Sequence, residues 1–157
     1  FLYSCKNKDH KIVELLLKDK RINIECESDQ LYNGFHYSCE NKNYKVFESL
    51  INDKRLNELI NKKNIEENTP FLIACKIGNF KIIEIFLKKE NISKINLENE
   101  YDKNNNSILS LTIQKQFEGE KVFWILKDYF KVDFKILNKF NKNLFHEACI
   151  FSRYNII

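Results

Sequence analysis

The stretch TPFLIACKIGNFKIIEIFL, residues 69–87, predicts two short helices joined by a tight turn. The Thr69 hydroxyl can cap a helix whose first position is Pro70, where a missing N–H has no cost. This first helix is predicted over Pro70 to Ile77, because Gly78 and Asn79 are the residue types that best adopt the left-handed conformation at a helix end. The second helix, FKIIEIFLKK, carries an apolar face too broad for a helix exposed on three sides, so neighbours must cover it.

The same pattern recurs along the chain. Copies read FLYSCKNKDHKIVELLL from Phe1, FHYSCENKNYKVFESLI from Phe35, FLIACKIGNFKIIEIFL from Phe71 and FHEACIFSRYNII from Phe145. The segment LSLTIQKQFEGEKVFWIL from Leu109 fits the same frame with a longer link between its halves. Steps of 34, 36, 38 and 36 residues separate the shared anchor position, occupied by Cys5, Cys39, Cys75, Ile113 and Cys149. A period in the mid-thirties with two helices per unit predicts an all-α helical solenoid.

We therefore expect one array of four to five helix-turn-helix units with hairpin-like loops between them. The approximate units are 1–30, 31–66, 67–104, 105–140 and a truncated 141–157. The second helices of the other units are predicted at about His10 to Lys20, Tyr44 to Asp53 and Glu120 to Phe130. With three Gly and one Pro there is no internal linker. Since the units at both ends lack polar caps, we expect an excerpt of a longer array.

Composition limits the class of protein. An apolar fraction of 43% is enough to bury a continuous core, and no apolar run approaches the length of a membrane span. Five Cys, an odd number and mostly at one repeat position, indicate buried thiols in place of a disulfide framework. These features predict an intracellular protein, in the cytoplasm.

On these residues the chain resembles the ankyrin repeat family. TPFLIAC, GNFKIIEIFL and the later Asn96 match the family pattern in the third unit, and His36 and His146 fall on the motif's His. A tetratricopeptide array has a similar period, but its Trp, Leu-Gly, Tyr and late Pro signature is missing from this sequence. Where the family has a hairpin Gly, this chain has Leu31, Glu67, Asn105 and Asn141. Since Leu31 and Glu67 fit a positive φ poorly, we expect those two hairpin tips to be rebuilt.

The resemblance implies a non-catalytic scaffold that binds another protein through a concave surface of hairpin tips and first helices. Of the implied contact residues, Tyr32, Ile65, Ile77 and Phe140 fit interface anchors best. The full predicted set, by unit, is Asp29, Gln30, Tyr32, Glu40 and Asn41; Ile65, Glu66, Asn68, Lys76 and Ile77; Lys103, Asn104, Asn106, Gln114 and Lys115; and Lys139, Phe140 and Lys142.

Two other classes of function stay open at this point. The chain would serve as a regulatory or substrate-recruiting region if the full-length protein carried an enzyme or channel domain. It would instead be a weak nucleic-acid or anionic-surface binder if its net charge of +4 were clustered. However, 23 Lys against 3 Arg, interleaved with 22 acidic residues, argue against base or phosphate readout. The main local concentration is Lys127, Lys131, Lys135, Lys139 and Lys142.

Catalytic and metal sites are not expected. The pairs His36 with Cys39 and His146 with Cys149 lie three residues apart, as a nucleophile with its base or two metal ligands would require. Yet both occupy repeat positions filled elsewhere by Leu and Cys, and neither has the further ligands of a closed zinc site. The sequence also lacks a phosphate loop, HExxH and GxSxG. We therefore predict no enzyme activity, cofactor or metal in this segment.

Trp124 leaves the register of the fourth unit open. It replaces the outward Glu84 position, so it is either an exposed ligand anchor or a sign that the unit is shifted by one residue. We favour the shift.

Overall fold

A computed structural model describes residues 1–88, 91, 93, 101–114, 117–127, 129 and 135–151, without the side chains of 117–120. Within this part the chain forms nine α-helices, one 3₁₀ helix and no strand beyond a single antiparallel bridge between Tyr101 and Ser107. The predicted all-α solenoid is therefore confirmed.

The helices form two stacked rows. The first row contains the first helix of each unit: α1 (Leu2–Lys6), α3 (Gly34–Glu40), α5 (Pro70–Ile77), α7 (Ile108–Ile113) and α9 (Leu144–Ile150). The second row contains α2 (His10–Lys18), α4 (Tyr44–Ile51), α6 (Phe80–Leu87) and α8 (Phe117–Leu126), and the 3₁₀ helix Lys54–Leu59 follows α4. Helices in the same row pack on one another between neighbouring units, and in the first four units the two helices of a unit also pack together. Every internal unit thus buries apolar surface on both sides.

Single residues set most helix boundaries. Thr69 caps α5 by accepting from the Leu72 N–H, Pro70 begins it, and Gly78 ends it at φ 71°. The predicted bounds of α5 are therefore correct. The second helices differ more: α2 and α4 end two residues before the predicted ends, and α8 begins three residues before the predicted start. The structure ends α6 at Leu87 and α8 at Leu126, before the predicted ends at positions 89 and 130, which themselves lie outside the described residues.

The core lies between the two rows. Its largest side chains are four phenylalanines in successive contact, with ring centroids 5.6 Å apart for Phe35 and Phe47, 4.5 Å for Phe47 and Phe86, and 5.0 Å for Phe86 and Phe71. All four are buried almost completely, and a chain of aromatic pairs at these distances stabilises beyond its buried area. The contact between Phe47 and Phe86 crosses the unit boundary and helps to hold units two and three together.

The thiols follow the predicted pattern in three of five cases. Cys5, Cys39 and Cys75 are fully buried, Cys26 is partly buried and Cys149 is exposed, all without a disulfide. Cys149 differs because it lies on α9, the last described helix of the first row, where no further described helix covers that face. Among the described residues, no helix has both the length and the hydropathy required to cross a membrane.

The fourth unit keeps the register of the third. Val122, Phe123 and Leu126 are buried, while Trp124 is 43% exposed at the position of exposed Glu84. The favoured one-residue shift is therefore wrong. The longer link between the halves of this unit is accommodated by the early start of α8, so the helix presents the same face to the core.

Candidate interaction surface

The hairpins between units share one hydrogen-bonded design. The side-chain Oδ1 atom of the first hairpin residue accepts the N–H groups of the second and fourth residues after it. These distances are 2.9 and 3.0 Å for Asn64, 2.8 and 2.9 Å for Asp102, and 2.9 and 3.1 Å for Asn138. In the first hairpin the Ser28 hydroxyl accepts from the Tyr32 N–H at 3.1 Å. An Asn, Asp or Ser side chain thus replaces backbone partners and closes each tip.

A left-handed residue follows at the same place in all four tips. Leu31 has φ 58°, Glu67 φ 62°, Asn105 φ 60° and Asn141 φ 58°. The expectation that the tips at Leu31 and Glu67 are rebuilt is therefore wrong. The hairpin hydrogen bonds fix the backbone, including a bond from the Leu31 N–H to the Ser28 carbonyl at 2.8 Å, and the unfavourable φ is adopted to satisfy them.

Neighbouring tips are joined directly. The Ile65 N–H donates to the Gln30 carbonyl at 3.2 Å, and the Lys139 N–H donates to the Asn104 carbonyl at 2.9 Å. Between the second and third tips, Lys103 Nζ lies 3.6 Å from Glu66 Oε1. The four tips therefore form one row along the array, in which the side chains keep fixed relative positions.

The predicted contact residues differ in exposure. The exposed members are Asp29, Gln30, Glu40, Ile65, Lys103, Lys139 and Phe140. The partly buried members are Tyr32, Asn41, Glu66, Lys76, Ile77, Asn104, Gln114 and Lys142. Lys115 lies outside the described residues, as do Asn96 and Lys131 of the sequence patterns. The tips and the first helices thus bring most of the predicted residues to one face, which we call the tip surface.

Asn68 and Asn106 must be removed from that surface. They are 3% and 5% exposed, and the Asn106 side chain donates to Asp102 Oδ2 at 3.0 Å while accepting from Asn138 Nδ2 at 3.0 Å. The carbonyl of Asn68 lies 3.2 Å from His36 Nε2 of the preceding unit. Both residues stand just before a helix cap, where the chain turns inward, so their amides hold the hairpins and do not face solvent.

Two of the four predicted anchors project from the tips. Ile65 is 59% exposed and Phe140 is 63% exposed, each beside charged neighbours. Ile77 packs against the core and is only partly exposed. Since exposed apolar side chains within a polar rim are typical of interface anchors, Ile65 and Phe140 are the strongest candidates.

Tyr32 belongs to an aromatic cluster on the first helices. Its ring centroid lies 5.3 Å from that of His36 and 5.1 Å from that of Tyr37, and Lys6 Nζ lies 5.7 Å from the Tyr37 ring. Burial raises the pKa of the Tyr32 phenol, and the carboxylates of Glu40 and Glu66 raise it further. The phenol therefore keeps its proton at neutral pH and can donate a hydrogen bond to a bound chain.

The sequence does not predict two members of the tip surface. Tyr37 is half-buried in the aromatic cluster, and Leu31 is 44% exposed at the first tip. Tyr37 occupies the repeat position of exposed Tyr3, which would have indicated an outward side chain. For Leu31 the sequence offers only its poor fit to a positive φ, which does not indicate an exposed side chain.

The His-x-x-Cys pairs have local structural roles. His36 Nδ1 accepts from the Asn33 N–H at 3.2 Å, and burial lowers the pKa of the ring to about 4. Burial raises the pKa of the Cys39 thiol well above its usual value, so this pair offers neither a thiolate nor an imidazolium near neutral pH. His146 makes the equivalent cap with Asn143. Within the described residues no three His, Cys, Asp or Glu side chains are grouped to hold a metal ion.

Two rows of short helices with linked hairpins define a helical repeat protein whose units each pair two antiparallel helices. A family model for ankyrin repeats, in three copies, matches residues 35–136. The chain belongs to the ankyrin repeat family. No curated protein matches it in sequence.

Proposed function

We propose that this chain is a protein–protein interaction scaffold that binds its partner through the tip surface. Ankyrin repeats are in general modules of protein–protein interaction. The observation that supports this surface most directly is the joined row of tips, which presents Ile65 and Phe140 at fixed positions among polar groups. A preorganised surface loses little entropy on binding, which favours affinity.

The tip row also changes sign along the array. Its first two tips carry Asp29, Glu66 and Glu67. In the third tip the buried Asp102 offsets Lys103, and the fourth tip carries Lys139 and Lys142 with no acidic residue. The Lys103–Glu66 ion pair lies where the sign changes. A partner with basic groups facing the first tips and acidic groups facing the last tips would bind in one direction only, because the reversed orientation would bring like charges together.

The proposed role is non-catalytic. His36 and His146 cap their helices and Cys39 is packed in the core, which supports a binding function without chemistry of its own. Buried, unbridged thiols at Cys5, Cys39 and Cys75 support the predicted intracellular location. The same surface would serve equally if the array recruits a substrate to, or regulates, an enzyme or channel domain of a larger protein.

Site-specific photo-crosslinking tests the location of the surface. A photoreactive phenylalanine analogue is placed at Ile65 in one variant and at Glu84, an exposed site on the second row, in the control. After irradiation in cell extract, we expect a discrete crosslinked protein from the Ile65 variant and not from the Glu84 variant. The same product from both sites, or from Glu84 alone, would show that the partner binds elsewhere.

Combined alanine substitution then tests the anchors. For the crosslinked partner, Tyr32→Ala, Ile65→Ala and Phe140→Ala together should weaken binding by at least about 100-fold, since each hot-spot side chain contributes about tenfold or more. Ile12→Ala and Leu15→Ala remove comparable exposed apolar area from α2, outside the tip surface, and should leave affinity unchanged. Equal affinity of wild type and the triple variant would overturn the anchor assignment.

A further inference from the structure

Charge is segregated at the end of the units opposite the hairpins. The turns between first and second helices, residues 6–11, 40–45 and 76–81, form what we call the turn edge. Its only acidic residues are Asp9 and Glu40, whereas its lysines are Lys6, Lys8, Lys11, Lys42, Lys45, Lys76 and Lys81. The rest of residues 1–88 contains eight Lys and Arg against eleven Asp and Glu. The turn edge is thus strongly basic although the remainder of these three units is acidic.

The lysines form a regular row. Lys11, Lys45 and Lys81 are each the second residue of a second-row helix, and exposed Lys121 continues the row on α8. Because packed helices lie about 8–10 Å apart, four such residues span roughly 30 Å. Lys81 Nζ lies 4.6 Å from the Tyr44 ring centroid and Lys121 Nζ lies 3.9 Å from the Phe80 ring centroid. These cation–π contacts hold successive lysines over the preceding unit and keep the row ordered.

The edge itself contains few acidic residues. Asp9 caps α2 by accepting from the Ile12 N–H, and neutral Asn43 and Asn79 cap α4 and α6 in the same way. In α2, α4 and α6 the acidic residues Glu14, Glu48 and Glu84 each come three residues after the row lysine, about one helical turn further along. In these three units the row lysines therefore lie nearer the turn edge than the acidic residues of the same helices.

We infer that the turn edge binds an anionic lipid surface. All turns lie at the same end of their units, so their lysines can reach a flat partner together, and rows of lysines are attracted to anionic headgroups at about fivefold in affinity per residue. The edge lies at the far end of the first helices from the hairpins. Lipid binding therefore leaves the hairpin tips accessible, although the turn edge shares Glu40, Asn41, Lys76 and Ile77 with the tip surface. This inference does not depend on the proposed protein-binding function.

The chemistry of the edge favours lipid over nucleic acid. Its cations are lysines, which lack the guanidinium fork that holds phosphates and base edges in pairs. Its amides are used in the fold: Asn41 Nδ2 donates to the Lys6 carbonyl at 2.9 Å and Asn79 Nδ2 to the Cys39 carbonyl at 3.3 Å. The rings of Tyr44 and Phe80 lie beneath lysines and are only partly exposed, which removes them as stacking platforms for bases.

Vesicle co-sedimentation tests the inference. The chain is mixed with phosphatidylcholine vesicles, with or without phosphatidylserine, at low and at physiological ionic strength. We expect binding only to vesicles that contain phosphatidylserine, weakening with salt. Lys11→Gln, Lys45→Gln and Lys81→Gln together should lower the partition coefficient by about 100-fold, at about fivefold per lysine.

A matched control removes the same charge elsewhere. Lys18→Gln, Lys54→Gln and Lys88→Gln change exposed lysines at the other end of the second-row helices and should reduce binding much less. Equal losses in the two triple variants would show that net charge alone is responsible and would overturn the inference, as would failure to bind phosphatidylserine. Tighter binding to single-stranded RNA or to polyglutamate than to vesicles, at physiological salt, would also overturn it. If the first variant does not fold, Lys8→Gln with Lys42→Gln tests the same edge and leaves Lys81 in place over its ring.

Discussion

Units two and three have the same backbone built from different residues. The cap of α3 is Asn33 where that of α5 is Thr69, and each accepts from an N–H three residues later at 3.2 Å. The turn after α3 has Lys42 at φ 54°, where the turn after α5 has Gly78 at φ 71°. Lysine disfavours this left-handed conformation, yet Lys42 adopts it as Gly78 does. The packing of the two helical rows therefore determines the conformation of the turn.

The two units differ most at the third position of the first helix. In unit three this is Leu72, fully buried and apolar. In unit two it is His36, also fully buried, which accepts from the Asn33 N–H and lies 3.2 Å from the Asn68 carbonyl. Since the nitrogen that accepts cannot carry the proton, Nε2 donates to Asn68. A neutral imidazole is thus built into unit two, so unit two, unlike unit three, should lose stability through this position in mild acid.

The largest expected effect is therefore a loss of stability on acidification. The pKa of His36 is about 4 in the folded chain, below its ordinary value of 6.5, because burial disfavours the charged ring. The unfolded chain takes up a proton as pH falls below 6.5 and the folded chain does not. The contribution of His36 to the free energy of unfolding is therefore fully present above pH 6.5. It is lost progressively as the pH falls toward 4, by about 3 kcal/mol in total. Urea unfolding across this range measures it.

A matched variant isolates this effect. In His36→Gln the side chain can still accept from the cap N–H but does not titrate in this range, so the free energy of unfolding should change little between pH 6.5 and 4. His10 and His146 are unchanged in the variant. A pH dependence as steep as that of the wild type would assign the effect to other groups.

The turns provide the next contrast. Gly78→Ala places a Cβ at φ 71° and should lower the free energy of unfolding by about 1–2 kcal/mol. Lys42→Gly removes the side chain that disfavours φ 54° in unit two and should raise the free energy of unfolding by about 0.5–1 kcal/mol. This gain is smaller than the loss at Gly78 because glycine also increases the conformational freedom of the unfolded chain. Chemical denaturation of both variants measures the two changes. Changes of the same sign would show that φ does not determine the response.

How far the sequence predicted the structure depended on whether one residue carried the signal. The bounds of α5 were correct because Thr69, Pro70 and Gly78 each mark a boundary. The prediction of a rebuilt hairpin at Leu31 was wrong because the hydrogen bonds that impose its φ come from Ser28 and from the neighbouring tip. An argument from residue propensity does not include such bonds.

The candidate surfaces show the same limit. Repeat position alone predicted the exposure of Ile65 and Phe140. It failed for Asn68 and Asn106, whose burial depends on contacts with adjacent units. The turn edge is not evident along the sequence, where acidic and basic residues alternate. It becomes evident when residues at the same repeat position are compared, because lysines align there.

Two hairpin-tip residues should change stability in opposite directions when each is replaced by the residue found at the other position. Leu31 and Asn141 both have φ 58°, but only asparagine adopts this conformation at modest cost. Leu31→Asn should therefore raise the free energy of unfolding by about 1 kcal/mol. Asn141→Leu should lower it by a similar amount. Thermal unfolding of the two single variants checks the pair, and a loss of stability in Leu31→Asn would mean that the half-exposed leucine makes contacts that outweigh its backbone cost.

The smallest expected effect concerns the contact between the two units at the turn edge. Lys81 of unit three lies over the Tyr44 ring of unit two, and an exposed cation–π contact contributes about 0.5 kcal/mol. Lys81→Gln should lower the free energy of unfolding by that amount in the wild type, and in a double-mutant cycle it should have no effect once Tyr44→Leu has removed the ring. Because the ammonium lies only 4.6 Å from the ring centroid, the coupling should persist at a salt concentration that screens separated surface charges. A coupling of zero in urea titrations of the four proteins of the cycle would mean that the lysine row is positioned by the helix alone.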